Sequence, residues 1–124
     1  MTNVLVIDDM SGVRRALVAM LTRAGYQVTA ADDGSTGMDL VRSRHFDLVI
    51  TDMLMPGIDG ADVLTQINLL PQRPKVIAIS GGGAGLSAES ALRLARIKAD
   101  AFLEKPFDSE TLQAAIDKLM AASL

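Results

Sequence analysis

The chain has no cysteine, no tryptophan, one histidine and only 3% aromatic residues among its 124 positions. Without cysteine there is no disulfide framework, no thiolate zinc site and no thiol nucleophile. One histidine excludes a multi-histidine metal site. So few aromatics leave the core to Val, Ile, Leu, Ala and Met, and remove the stacking platforms that single-stranded nucleic acid needs. Positive charge is not in excess: 12 Lys and Arg face 15 Asp and Glu, for a net charge of -3. A nucleic-acid backbone is therefore not an expected partner. Long hydrophobic runs are missing too. The longest uncharged stretch, between Lys75 and Glu89, is Gly-rich and too short to span a bilayer, so no membrane insertion is expected. Asp8 and Asp9 break the first apolar run before it can form a signal peptide, which makes the cytoplasm the expected location.

What is present is the composition of an ordered globular protein, with 49% hydrophobic and 22% charged residues. The length suits one domain, residues 1–124, with room for one core and none for a sensor joined to an effector.

Two periodicities alternate along the chain. Short β-branched runs fall at Val4 to Ile7, Val28 to Ala30, Leu48 to Ile50, Val76 to Ile79 and, more weakly, Ala101 to Leu103. Helical spacing lies between them. Val13, Leu17, Met20 and Leu21 form the first pattern, which Gly25 ends in a left-handed turn. Met38, Leu40 and Val41 form the second. Val63, Leu64, Ile67 and Leu70 form the third, before Pro71. Leu92, Leu94, Ala95 and Ile97 form the fourth, and Leu112, Ala115, Ile116, Leu119 and Met120 the fifth. Asp33, Asp59, Ser87 and Asp108 stand where N-caps belong. Five strands alternating with five helices predict an α/β fold whose parallel sheet is covered on both faces.

In such sheets, ligands bind beyond the carboxyl ends of the strands, at the point where strand order reverses. The predicted strands end in Asp8 and Asp9, in Asp32 and Asp33, in Asp52, in Ser80, and in Glu104 and Lys105. Asp32 and Asp33 read as capping and loop residues, His45 as a surface residue at a helix end, and Glu104 as a solvated acid. Arg14 and Arg15 lie on the first helix, where one faces solvent and either is available to a partner. The set Asp8, Asp9 and Asp52 is different. Two unit charges ~4 Å apart interact by about 4 kcal/mol at a surface-like effective dielectric, so three gathered carboxylates need a cation. An all-oxygen set suits Mg2+. With Lys105 and Ser80 nearby, the group suits phosphoryl transfer: Asp52 as acceptor, Asp8 and Asp9 holding metal, Lys105 and Ser80 binding phosphoryl oxygens.

These residues carry a resemblance. The acidic pair Asp8-Asp9 follows a Val-rich strand. The block Thr51-Asp52-Met53-Leu54-Met55-Pro56-Gly57-Ile58-Asp59-Gly60 comes next. Ser80 follows Val76-Ile77-Ala78-Ile79, and Lys105-Pro106-Phe107 closes the series. In order and spacing they resemble the receiver domain of bacterial two-component response regulators, of the stand-alone chemotaxis-regulator kind, over the whole chain. The resemblance implies a flavodoxin-like five-stranded parallel sheet of order 2-1-3-4-5 with helices on both faces. It implies phosphorylation of Asp52 by a histidine kinase or a histidine phosphotransfer protein. It implies Mg2+ held by Asp9, Asp52 and the backbone carbonyl of Leu54, with Asp8 assisting through water. It also implies a switch pair, Ser80 and Phe102, and a cis Lys105–Pro106 bond. Output would run through the fourth helix, the fifth strand and the last helix to an unidentified downstream protein, as a population shift rather than enzymatic turnover. A role as phosphorelay intermediate or phosphate sink is the alternative.

Some positions depart from the family's usual pattern. Ser80 stands where Thr is frequent, keeping the hydroxyl without the methyl. The Gly81-Gly82-Gly83-Ala84-Gly85 stretch leaves more room beside the phosphate. Leu54 is apolar where many relatives are polar, and the expected result is slow self-dephosphorylation. The decay time of phosphorylated protein should shorten several-fold in Leu54→Asn, and an unchanged decay would contradict this.

Rival readings account for less. Gly83-Ala84-Gly85-Leu86-Ser87-Ala88 matches a dinucleotide fingerprint, with Glu104 about twenty residues on. It follows the fourth strand rather than the first, though, and leaves Asp8, Asp9, Asp52 and Lys105 without a role. A haloacid-dehalogenase-type phosphatase needs a second Asp two positions after the nucleophile, where this chain has Leu54. Three acids oppose an FMN phosphate. A receiver that never takes up phosphate would not need every acid, hydroxyl and ammonium position filled.

Overall fold

The computed structural model describes residues 2–53, 60–80 and 99–121. The elements are β1 (Asn3–Ile7), α1 (Ser11–Arg23), β2 (Gln27–Ala31), α2 (Gly34–Ser43), β3 (Leu48–Asp52), α3 (Gly60–Asn68), β4 (Lys75–Ser80), β5 (Ala101–Glu104) and α4 (Ser109–Ala121). The five strands are all parallel, in the order β2-β1-β3-β4-β5. This is the expected flavodoxin-like α/β arrangement. The Leu54 carbonyl, the caps at Asp59 and Ser87, the Gly-rich stretch, the dinucleotide-like match and the fourth helical pattern lie outside the described residues.

Continuous apolar runs form the central strands because both of their faces are covered. Leu5, Ile7, Val49, Val76 and Ala78 point to one face, where Val41 of α2 and Val63, Leu64 and Ile67 of α3 pack on them. Val4, Val6, Leu48, Ile50, Ile77 and Ile79 point to the other, against Leu17 and Leu21 of α1 and Leu112 and Ile116 of α4. β3 and β4 each run past their apolar stretch into polar residues. Thr51 and Asp52 pair with Ala78 and Ile79, and Ser80 pairs with Glu104. The backbone ladder continues whatever side chain it carries, so it delivers polar groups to the carboxyl edge.

Local signals act as predicted. α1 closes in a Schellman motif: the Gly25 N–H bonds the Thr22 carbonyl at 3.0 Å and the Tyr26 N–H bonds the Leu21 carbonyl at 3.1 Å. Gly25 has φ +97°, a left-handed conformation that glycine adopts without a Cβ penalty. Asp33 and Asp108 cap α2 and α4, accepting from the Thr36 and Thr111 N–H groups, each at 2.7 Å. These bonds hold both carboxyls below their ordinary pKa. The Lys105–Pro106 bond is cis, as expected. No described helix is long and apolar enough to cross a membrane.

Gly60 has a steric role. A Cβ there would collide with the Asp52 carbonyl oxygen and lie 2.6 Å from Met53 Cα. Both are backbone and cannot turn aside, so α3 starts in contact with the end of β3. Gly60→Ala is expected to destabilise the fold by about 3 kcal/mol, the upper end of overpacking costs. At Gly12, where an added Cβ meets nothing within 4 Å, Ala should instead stabilise by about 0.5 kcal/mol through helix propensity. Urea unfolding of the two variants separates these outcomes, and similar changes at both positions would contradict the contact.

Candidate phosphoacceptor site

The order β2-β1-β3 puts the reversal of strand order between β1 and β3, and the acids converge there. Asp8 follows β1 and is fixed by three hydrogen bonds, two to its backbone and one to its side chain. Its N–H bonds the Ala31 carbonyl at 3.2 Å, its carbonyl takes Arg14 Nη1 at 2.9 Å, and its Oδ1 takes the Met10 N–H at 2.9 Å. Met10 is the N-cap residue of α1 and has no side-chain cap bond. Asp52 ends β3, and the next residue is held in the ladder by Met53 N–H to the Ile79 carbonyl at 2.9 Å. Asp8 and Asp52 are 1% and 4% exposed, and Asp9 faces solvent. One carboxylate oxygen from each of the three lies within 4.8 Å of the others.

Lys105 reaches this cluster from beyond β5. Its Nζ lies 3.1 Å from Asp52 Oδ2, in a hydrogen bond, and 3.3 Å from Asp8 Oδ2, an ion-pair distance without hydrogen-bond geometry. Its backbone N–H bonds the Ser80 carbonyl at 2.7 Å, which ties the lysine to the end of β4. Burial raises the Asp8 pKa; Asp52 raises it further, while the Met10 N–H and Lys105 oppose the rise. For Lys105, burial pulls the ammonium down, but Asp52 and Asp8 together outweigh it and leave the pKa raised.

Asp8 Oδ2 is buried and has no hydrogen-bond donor among the described residues. One ammonium also stands against two buried carboxylates and a third at the rim. A donor set made only of oxygen, with an unsatisfied buried oxygen, fits a hard divalent cation such as Mg2+.

Ser80 is 4% exposed at the end of β4. Phe102 is half-buried and pairs with Ala78, one pleat before Ser80 on the same face of the sheet, where it packs on the α2–α3 side of the core. The fold thus brings Asp8, Asp9, Asp52 and Lys105 together and sets Ser80 and Phe102 beside them along adjacent strands. Glu104 and Arg15 are exposed, as is His45, whose Nε2 lies 3.3 Å from Asp47 Oδ1. The residue that sequence reasoning left open is Arg14. Its position in the first turn of α1 was visible, but its choice of the Asp8 carbonyl depends on the angle at which α1 leaves the sheet.

A family model described as the response regulator receiver domain matches residues 4–117. The chain belongs to this family. The receiver domain is 31% identical over 117 residues to the chemotaxis protein CheY of Pseudomonas aeruginosa, covering 94% of each chain. It is 29% identical to the sporulation initiation phosphotransferase F of Bacillus subtilis, covering 94% of this chain and 92% of that one. Among solved structures, the response regulator TrrA of Thermotoga maritima in complex with Mg2+-BeF superposes with a TM-score of 0.82 at 31% identity, over 96% of this chain and 99% of the other. Receiver domains of two-component response regulators are signalling switches, and this receiver domain has the acidic pocket in place.

Proposed function

We propose that this receiver domain takes a phosphoryl group onto Asp52 from a histidine kinase or a histidine phosphotransfer protein in the cytoplasm and uses it to control a downstream protein. The observation that carries this reading is the convergence of Asp8, Asp9, Asp52 and Lys105 at the β1–β3 switch point, with Asp8 Oδ2 buried and undonated. An Asp52 carboxylate oxygen attacks phosphorus, the bond from phosphorus to the donor's histidine nitrogen breaks, and that nitrogen keeps the electron pair and takes a proton. Lys105 stays beside the oxygens and balances charge as it shifts from carboxylate to phosphoryl group. Ser80, at the end of β4, offers its hydroxyl to a phosphoryl oxygen. Phe102, half-buried one pleat away, repacks when Ser80 moves, which shifts the population of the surface formed by β5 and the last helix.

Asp8, Asp9 and Asp52 are the side chains that would hold Mg2+, with the Leu54 carbonyl as a further ligand. Bound there, the cation would neutralise charge on the transferring group. Mg2+ at a hundred times its dissociation constant is expected to stabilise the fold by about 2.7 kcal/mol. Asp8→Asn should lose most of that gain, and urea unfolding with and without MgCl2 reads both. No stabilisation of the parent protein would contradict the metal assignment.

The function itself is tested with a small-molecule phosphodonor and MgCl2. Intact mass should show one phosphoryl adduct that hydroxylamine removes, and no adduct under any donor concentration would overturn the reading.

A further inference from the structure

A second concave site lies at the opposite ends of the strands. A cavity of about 380 Å3 opens between the end of α2 and the turn joining α3 to β4. Its volume lies within the roughly 300–1,000 Å3 range of small-molecule sites. Val41, Phe46, Leu70 and Pro74 supply apolar walls; Arg42, Arg44 and His45 supply cationic or ionisable groups, and among the described residues no carboxylate lines it. Phe46 precedes β3 and Asp52 ends it, so roughly 20 Å of strand separates the cavity from the phosphoacceptor pocket at ~3.3 Å per residue.

The charged groups around the cavity are engaged unequally. Arg42 Nη2 reaches across to Gln66 Oε1 of α3 at 3.4 Å, and its Nη1 lies 3.7 Å from Asp39. Asp47 takes the Asn3 N–H at 2.8 Å and faces His45. Arg73 pairs with Asp100 at 2.7 Å. Arg44 differs from these. Its N–H closes the last turn of α2 on the Leu40 carbonyl at 2.9 Å, and its own backbone is already extended. Its guanidinium lies over the Phe46 ring, 5.2 Å from the centroid, and makes no ion pair among the described residues. The stacking holds a planar, five-donor cation at an apolar wall.

We infer that this cavity binds a small organic anion, with an apolar ring or short chain between Phe46, Leu70 and Val41 and a carboxylate or phosphate on Arg44 and Arg42. The geometry supplies what such a ligand needs: a concave apolar surface open to solvent on one side, and on its wall a fork of donors that carboxylate and phosphate oxygens match in pairs. Leu69, 74% exposed beside Leu70, lies outside the cavity wall and serves as the control position on the same turn.

Titration of the 15N-labelled protein with 2-naphthoate, and separately with the uncharged 2-naphthylmethanol, distinguishes these outcomes by NMR. Naphthoate should cause saturable shifts confined to residues 41–46 and 70–73, at submillimolar affinity. The alcohol, and Arg44→Gln with naphthoate, should each bind at least tenfold more weakly. Leu69→Ser should leave naphthoate affinity unchanged. No saturable shifts there, equal binding of acid and alcohol, or no effect of Arg44→Gln would overturn the proposal. A tenfold loss in Leu69→Ser would place naphthoate on the exposed surface of the turn instead of in the cavity, and would overturn it as well. The titration uses neither phosphodonor nor Mg2+, so its result stands apart from the role of Asp52.

Discussion

Asp52→Asn is expected to abolish formation of the phosphoryl adduct while leaving the protein folded and, without divalent cation, at least as stable as the parent. The carboxamide cannot form an acyl phosphate, so acceptance falls to background. Its shape is nearly that of the carboxylate, and its oxygen still accepts from Lys105 Nζ, which lies 3.1 Å from Asp52 Oδ2 in the parent. What disappears is a negative charge beside Asp8, whose pKa is raised by burial and, after that, by Asp52. Removing the repulsion offsets the weaker bond to Lys105. Intact mass after phosphodonor treatment and urea unfolding in EDTA check the two halves. An adduct at the parent's level would contradict the acceptor assignment. A loss of more than about 2 kcal/mol would mean that the carboxylate is structural, since ordinary hydrogen-bond changes are smaller than that.

Lys105→Met is expected to be the most damaging single substitution to stability within the pocket. The ammonium is the cation shared by Asp8 and Asp52, at 3.3 and 3.1 Å, and its side chain is 16% exposed. Methionine fills similar space but leaves two buried carboxylates without that partner. Breaking a buried pair costs about 3 kcal/mol at the lower end of its range, which applies here because the lysine keeps some contact with water. The pH dependence has a definite sign. Asp8 has a folded pKa above its ordinary value, so its ionised form costs folding free energy above that folded pKa, and the cost disappears as pH falls through it. The deficit of Lys105→Met is therefore largest at neutral pH and shrinks toward pH ~4, near the ordinary carboxylate range. Mg2+ should restore much of the loss at neutral pH, and so should adding Asp8→Asn to the variant. A deficit below about 1 kcal/mol, the level of an exposed pair, would contradict the pairing. A deficit that grows as pH falls would contradict it as well.

Much of this arrangement was legible in the sequence because the signals were local. Gly25 stood where a left-handed stop was needed, Asp33 and Asp108 stood before their helices, and doubly covered strands showed as unbroken apolar runs. The site was legible because strand ends in a parallel sheet share one edge, so Asp8, Asp52, Ser80 and Lys105 had to fall together once the strands were placed. The features that were not legible depend on angles and close approaches between elements. Whether Arg14 or Arg15 turned inward, and that Gly60 would press on the Asp52 carbonyl, follow from how α1 and α3 leave the sheet. The apolar run of β3 stops at Ile50, whereas its ladder continues through Thr51 to Asp52, the residue that ends the strand. Met10, at the N-cap of α1, has a thioether that makes no cap bond, and its own N–H is taken by Asp8 Oδ1, an acid whose other oxygen belongs to the pocket.

On the proposed function, the phosphoryl group sits on Asp52 and on no other acid of the cluster. Borohydride reduces an acyl phosphate to the alcohol with loss of phosphate, so a phosphorylated aspartate becomes homoserine and leaves a permanent mark. Phosphodonor treatment, reduction and peptide mass mapping should place homoserine at position 52 alone, with Asp8 and Asp9 unchanged. Homoserine at position 8 or 9, or none anywhere in protein that carries the adduct, would contradict the account.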